Sequence, residues 1–189
     1  MGMVIESGGG VATNKMIVDS TGHAFVRATT ISALTETADT GGSYCIATGA
    51  ISLTTTASYS GIFQVKNTSV KVMRISLMCL GGDMDHMWWK LTRNPGETGT
   101  LWTTGTVKVP ANVNFSSGAP FPAENGVMVG ADGKTVVGGS FLNEFPIPKG
   151  ELAKELAGAF SIHPGNSIAF ECKPSAAGDV HGSILVYFE

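Results

Sequence analysis

Charged side chains are scarce in this sequence. Asp, Glu, Lys and Arg make up 14% of its 189 residues, against roughly 25% in soluble domains. A chain so poor in charge either coats itself in Ser, Thr, Asn and Gly or hides part of its surface against a partner, and the second reading points to oligomerisation or incorporation into a lattice. With a net charge of −3 and no Lys- or Arg-rich run, nucleic acid is not an expected partner. No apolar run is long enough to cross a membrane as a helix, so no membrane partner is expected either. The opening MGMVIESGGG has no charged n-region or apolar h-region, and no signal peptide is expected. Its Met3-Val4-Ile5-Glu6 run also lacks the Ser or Thr of a myristoylation motif. Only three cysteines occur, Cys45, Cys79 and Cys172. They are odd in number and far apart, which disfavours a disulfide framework or a zinc site and suits small buried hydrophobes in a reducing compartment.

Glycine and proline are plentiful, 25 and 8 residues spread over the whole chain, which suits many short strands joined by turns. Residues 1–20, with Ser7-Gly8-Gly9-Gly10, show no period and are expected to form a flexible N-terminal arm able to reach onto a neighbour. Residues 21–189 are expected to form one domain. Strand candidates lie at 24–31, 43–47, 51–55, 61–67, 70–80, 87–92, 106–109, 127–129, 135–137, 141–147, 167–173 and 182–188. The runs 61–67 and 70–80, broken by Asn67-Thr68-Ser69, read as a hairpin. In the second run Met73, Ile75, Leu77 and Cys79 share one face, opposite Arg74, Ser76 and Met78. Ala131-Asp132-Gly133-Lys134 has the chemistry of a hairpin turn between 127–129 and 135–137. Residues 174–180 read as a further hairpin loop. Pro146 and Pro148 push 141–147 to a sheet edge, and the last strand, apolar on both faces, is expected to be central or packed against another subunit. Residues 110–126 read as a long loop, and 94–105 as an exposed one. One segment reads as a helix: in 149–158, Leu152 and Leu156 stand four apart and Gly158 supplies a stop. The expected fold is therefore all-β, a jelly-roll-like antiparallel sandwich with one short helix and an extended N-terminal arm.

Little in the sequence carries chemistry. Asp83-Met84-Asp85-His86 places two carboxylates and an imidazole close together, but without the glycine and distal glutamate of a calcium loop. It reads at least as well as a polar turn. No nucleophile elbow or phosphate loop is present, so neither catalytic residues nor cofactors are expected. Two sequons, at Asn67 and Asn114, read as chance matches. Trp88 and Trp89, adjacent on a strand, must point to opposite faces, one into the core and one outward. Trp88, Trp89, Trp102, Phe115 and Phe121 are the candidate interface residues, because aromatics carry protein contacts and also suit sugar rings.

Several segments resemble small virion structural proteins of tailed bacteriophages: Val18-Asp19-Ser20-Thr21-Gly22-His23-Ala24, Gly42-Ser43-Tyr44-Cys45-Ile46-Ala47-Thr48 and Ile51-Ser52-Leu53-Thr54-Thr55-Thr56. So do Phe63-Gln64-Val65-Lys66-Asn67-Thr68-Ser69, Asn94-Pro95-Gly96, Pro164-Gly165-Asn166-Ser167 and the closing Gly182-Ser183-Ile184-Leu185-Val186-Tyr187-Phe188-Glu189. The resemblance covers most of 18–189 loosely. It implies a jelly-roll head decoration (cement) protein on the capsid surface, made in the bacterial cytoplasm. The partners it implies are copies of itself, as a homotrimer, and the major capsid protein or other virion proteins. The alternative is a tail-fibre or spike domain that binds a host-surface glycan, with Trp102 or residues 112–122 as its contact surface.

Overall fold

The computed structural model describes residues 4–6, 15–18, 24–27, 41–94, 106–107, 109–114, 116–123 and 126–189. All its regular elements are strands, and every pairing is antiparallel. Strands β1 (Val4–Glu6), β2 (Lys15–Val18) and β3 (Ala24–Arg27) form a small sheet in that order. Its pairings run across the boundary expected at residue 20.

The main sheet is organised by three long ribbons. The first is β7 (Met73–Arg93) and the second is β11 (Ser140–Ile162), which pairs with β7 from end to end with three register shifts on the way. The third is β12 (Ser167–Pro174) followed end to end by β13 (Gly178–Phe188). Both run antiparallel to β7, β12 against its second half and β13 against its first. The expected hairpin at 174–180 is therefore corrected: the chain there continues along the same edge of β7 rather than reversing.

Beyond β12 lie β6 (Ser60–Lys66), β10 (Val127–Val129) and β8 (Thr106–Val107). Beyond β13 lie β4 (Ser43–Ala47) and β9 (Ala111–Asn112), while β5 (Ile51–Leu53) pairs with the start of β13. The ribbons bend near Asp83, Gly150 and Ser175, where the register of β11 on β7 shifts and Ser175 N–H donates to the His86 carbonyl at 3.0 Å. Bent this way, one sheet becomes two facing halves, since strands that turn a corner through bulges close a sandwich.

The interior is apolar and continuous across both halves. Phe63 of β6 stacks on Phe170 of β12 with centroids 4.1 Å apart. Tyr44, Phe121 and Phe188 meet edge to face at 5.2–6.0 Å, a preferred aromatic geometry.

Other expectations are corrected as well. Residues 61–67 and 70–80 do not pair, because β12 lies between β6 and β7. The Asn67 break is nonetheless a built turn: the buried Asn67 amide donates to the Lys71 and Ile162 carbonyls, both at 2.7 Å, and its Oδ1 accepts from Ser69 N–H. A side chain that supplies its own turn hydrogen bonds does not require the flanking strands to pair.

Nor is the helix at 149–158 present: this segment is strand, in register with Leu77–Gly82 through its residues 150–155. A spacing of four puts Leu152 and Leu156 on one face of a helix, but also on one face of a strand. Both pack against the core from β11, so the extended form satisfies the same apolar pattern.

Last, the inward face of β7 changes phase. Met73 and Ile75 are buried, then Met78, Leu80 and Met84, then Met87, Trp89 and Leu91. An extra residue, Ser76, opposite the Leu185–Val186 step causes the first reset, and the bend causes the second; each bulge flips the alternation. Leu77 and Cys79 are thereby left half-exposed instead of joining Met73 and Ile75. The Asp132-Gly133 turn does form, with Lys134 N–H donating to the Ala131 carbonyl, but β10 pairs with β6 and β8 rather than with 135–137.

Candidate assembly surface

Strand β11 takes the edge of the sheet, where Pro146 and Pro148 can lack their N–H groups without breaking a ladder. It has β7 on one side and no strand of the described residues on the other. For 23 residues it presents backbone donors and acceptors sideways, a template for another chain. Near its start Phe141 is 63% exposed and Leu142 38%.

The outer face next to this edge is built in cross-strand rows. Pro146, Trp88 and Lys173 form one row across β11, β7 and β12, and Glu144, Lys90 and Glu171 form the next. Trp88 is 42% exposed. Glu171, only 2% exposed, receives Lys90 Nζ at 3.0 Å and the Thr92 hydroxyl at 2.8 Å. A carboxylate buried this deeply requires such partners. Above it, Tyr59 donates its hydroxyl to Glu144, and its ring takes Lys90 Nζ at 4.9 Å and Lys173 Nζ at 5.4 Å. Burial and the adjoining Glu144 carboxylate raise the Tyr59 hydroxyl pKa well above its ordinary value. The patch combines an exposed indole with two lysines and two carboxylates, a composition suited to a rigid polar contact.

At the bend, Asp83 Oδ1 accepts from Asp179 N–H at 2.8 Å, and Asp179 in turn accepts from the Ser52 hydroxyl. Asp83, Asp85 and His86 are exposed, and no group of three or more metal-ligating side chains occurs among the described residues. The Asp83-Met84-Asp85-His86 run thus forms the outer corner of the bend, with Met84 turned inward.

Between the two ends of β11 opens a cavity of about 530 Å³. Arg93, Ser161, His163 and Asn166 line its polar side; Leu142, Phe160, Ile162 and Ile168 line its apolar side. Asn94 and Asn166 fix its rim, side chain to side chain at 2.8 Å, and Ser167 N–H donates to Asn94 Oδ1.

Of the five aromatic residues marked from sequence, Trp88 faces outward. Trp89 lies wholly in the core, its Nε1 without a hydrogen-bond partner among the described residues. Phe121 packs on Tyr44 and Phe188. Those two are removed from the contact surface, because alternation aims Trp89 at the facing half and the Tyr44 hydroxyl, donating to the Pro120 carbonyl at 2.7 Å, pins the loop that carries Phe121. Trp102 and Phe115 lie outside the described residues. Sequence reasoning did not mark Glu171, Lys90, Tyr59 or Arg93. Their grouping depends on strand order, and only the prolines of β11 signalled the edge beside them.

No family model and no curated protein matches the chain. Among solved structures, that of the infectious bursal disease virus Gx strain aligns over 100% of this chain and 45% of its own, at 14% identity and a TM-score of 0.22. The Gt strain structure aligns over 92% and 48%, at 14% identity and 0.20. The T=1 particles derived from the same virus align over 87% and 42%, at 13% and 0.18. The chain spans less than half the length of these proteins, and such TM-scores do not establish a shared fold.

Proposed function

We propose that this chain is a virion structural protein, not an enzyme, that decorates and stabilises a phage capsid through oligomeric contacts. The observation that carries the reading is β11, a 23-residue strand paired on one side only among the described residues, with Phe141, Leu142 and Trp88 exposed beside it. An edge of this length is a contact surface in need of a partner. The low charge of the chain and its resemblance to small phage head proteins support the same reading. Its partners are then copies of itself and the major capsid protein, with neither nucleic acid nor membrane involved, and its location is the capsid surface. Binding at many identical shell sites would tie neighbouring subunits together and raise their resistance to unfolding by mass action.

The test adds purified protein to shells that lack it. Stoichiometric binding with greater heat resistance supports decoration; no binding overturns it.

A second reading, a tail-fibre or spike module that binds a host-surface glycan, is favoured by the cavity between the ends of β11. Its volume lies within the usual range for ligand sites, roughly 300–1,000 Å³, and it joins Arg93 and Asn166 to an apolar wall containing Phe160. On this reading the glycan is taken by that cavity rather than by residues 112–122. Titration with host polysaccharide decides it: binding that Arg93→Ala abolishes supports the reading, and no binding at millimolar sugar ends it.

A further inference from the structure

We propose that the cavity between the two ends of β11 binds an acidic saccharide, with Arg93 taking the carboxylate of the sugar and the apolar wall at Phe160 taking the face of its ring. The inference rests on the reading that this cavity holds a glycan, and names the charge class of that glycan and the side chain that selects it.

The cavity is the place where the core opens to solvent. Met87, Trp89 and Leu91 form the inward face of the second half of β7, and Arg93, two residues further on, stands in the same phase. The apolar alternation of the strand thus ends on a guanidinium. Arg93 lies opposite the buried Ile168 on β12 and opposite Ser140 on β11, so ladders hold its backbone on both sides. The facing wall comes from the end of β11, where Phe160 pairs with Ile75 and Ile162 with Met73 in the other half of the sandwich. The walls are joined by the turn at residues 163–166. Gly165 has a φ of 78° there, which glycine adopts without strain, and Gly165 N–H donates to the Asn67 carbonyl at 2.7 Å. Asn67 N–H donates in return to the Asn166 carbonyl at 2.9 Å. With Asn94 bonded to Asn166 from the other side, the rim is fixed before a ligand arrives, which lowers the entropic cost of binding.

Charge around the cavity is unbalanced. The Arg93 side chain has no carboxylate or hydrogen-bond partner among the described residues, and no Asp or Glu lines the cavity. Arg74, opposite Ser161 on the facing half, differs: it pairs with Glu189 at 3.0 Å and donates to the Ser161 hydroxyl. Ser161 accepts that bond and keeps its own proton to offer to the cavity. His163 adds ring nitrogens that can meet sugar hydroxyls.

These features discriminate among ligands. A guanidinium presents parallel N–H groups that match a carboxylate bidentately. A neutral sugar leaves that fork without its anion. Inorganic phosphate satisfies the fork but has no carbon skeleton to cover Leu142, Phe160, Ile162 and Ile168. A uronic or sialic acid does both, because its ring also carries C–H groups that pack on apolar and aromatic side chains.

Calorimetric titration of the full chain tests this with oligogalacturonate, oligomannuronate and sialyllactose, each beside its carboxyl methyl ester, and with inorganic phosphate. At least one acid is expected to bind with a Kd of about 1 mM or below, about tenfold or more tighter than its own ester, and more weakly as salt is raised. Arg93→Gln should bring that acid down to the level of its ester. Arg93→Lys, which keeps the charge but loses the fork, should fall between. Phe160→Ala should weaken acid and ester by a similar factor. Circular dichroism establishes that the variants fold, and the comparison of acid with ester needs no variant. Acid and ester binding equally would overturn the acidic preference and leave the glycan reading standing. Phosphate binding as tightly as the best acid would overturn the saccharide and leave a bare anion site. An acid that still outbinds its ester in Arg93→Gln would overturn the role of Arg93. No saccharide binding up to about 10 mM would end both claims.

Discussion

The ring of Phe63 lies directly over Gly182, so close that a methyl group there would stand 2.7 Å from Cε1. Phe63 belongs to β6 in one half of the sandwich and Gly182 to β13 in the other, so this contact sets how closely the halves approach. Gly182→Ala is expected to destabilise the protein by about 1–3 kcal/mol through overpacking. Phe63→Leu alone should cost a similar amount by leaving a cavity. Made together, the two should cost less than their sum, because the smaller side chain admits the methyl. Urea unfolding of the three variants checks this, and strict additivity would refute the contact.

Glu171 is held in a nearly closed site by Lys90 and Thr92. Lys90→Met removes the cation and leaves the carboxylate buried, an arrangement expected to cost about 2–4 kcal/mol at neutral pH. Adding Glu171→Gln should recover most of that loss, since the orphaned charge is gone. A double-mutant cycle measures the coupling; a coupling near zero would mean that water reaches Glu171 freely.

Asp132 ties its turn to the segment before β6. It accepts from Thr54 N–H at 3.0 Å, from the Thr54 hydroxyl, and from Thr55 N–H at 3.1 Å. These hydrogen bonds, the Thr54 hydroxyl foremost, lower its pKa from 3.8 to about 2. A depressed folded-state pKa contributes stability that is fully present above the unfolded value and is lost as pH falls through the folded one. Asp132→Asn should therefore be less stable than the original chain by a constant margin above about pH 4, and the gap should close toward pH 2. Unfolding curves of both proteins between pH 2 and 7 test this; a gap that does not change with pH would rule out the carboxylate as its source.

Cys172 is buried in β12, beside Trp89 of β7, and burial pushes its thiol pKa up to about 12. Cys45 and Cys79, both half-buried, are raised as well, chiefly by desolvation. Because the thiolate is the reacting species, Cys172 in the native protein should not react with a thiol reagent at pH 8. Cys45 and Cys79 should react slowly, and all three should react at once in denaturant. Mass spectrometry of the labelled protein identifies the sites. Rapid native labelling of Cys172 would show that β12 and β7 part readily.

Much of the strand content was legible from local pattern. Ser43–Ala47 appears with the expected bounds, and β13 is central, between β7 and β4, one of the two places its apolar faces allow. Pro146 and Pro148 placed β11 at the edge, and the adjacent tryptophans divided as alternation demands, Trp89 inward and Trp88 outward. The helix reading failed at a true degeneracy, since leucines four apart satisfy both periods and only β7 beside them decides for the strand. The candidate surface was less legible. Glu171 and Lys90 are 81 positions apart in sequence and become neighbours only because β12 lies against β7.

The sequence by itself determined the class of this protein: an antiparallel β domain, poor in charge, punctuated by Gly, Pro and Asn, and edged at 141–148. Alternation and turn chemistry are local, so they survive without knowledge of partners. Tertiary structure alone decided which strand lies beside which. Residues 61–67 and 70–80 are adjacent in the chain and separated in the sheet, because β12, a hundred residues later, completes both their ladders. It also decided where β7 resets its inward face, since a bulge depends on the register of two neighbours rather than on the strand's own residues. The two halves then close to the distance that Gly182 allows Phe63, a limit set by side-chain contact across the core.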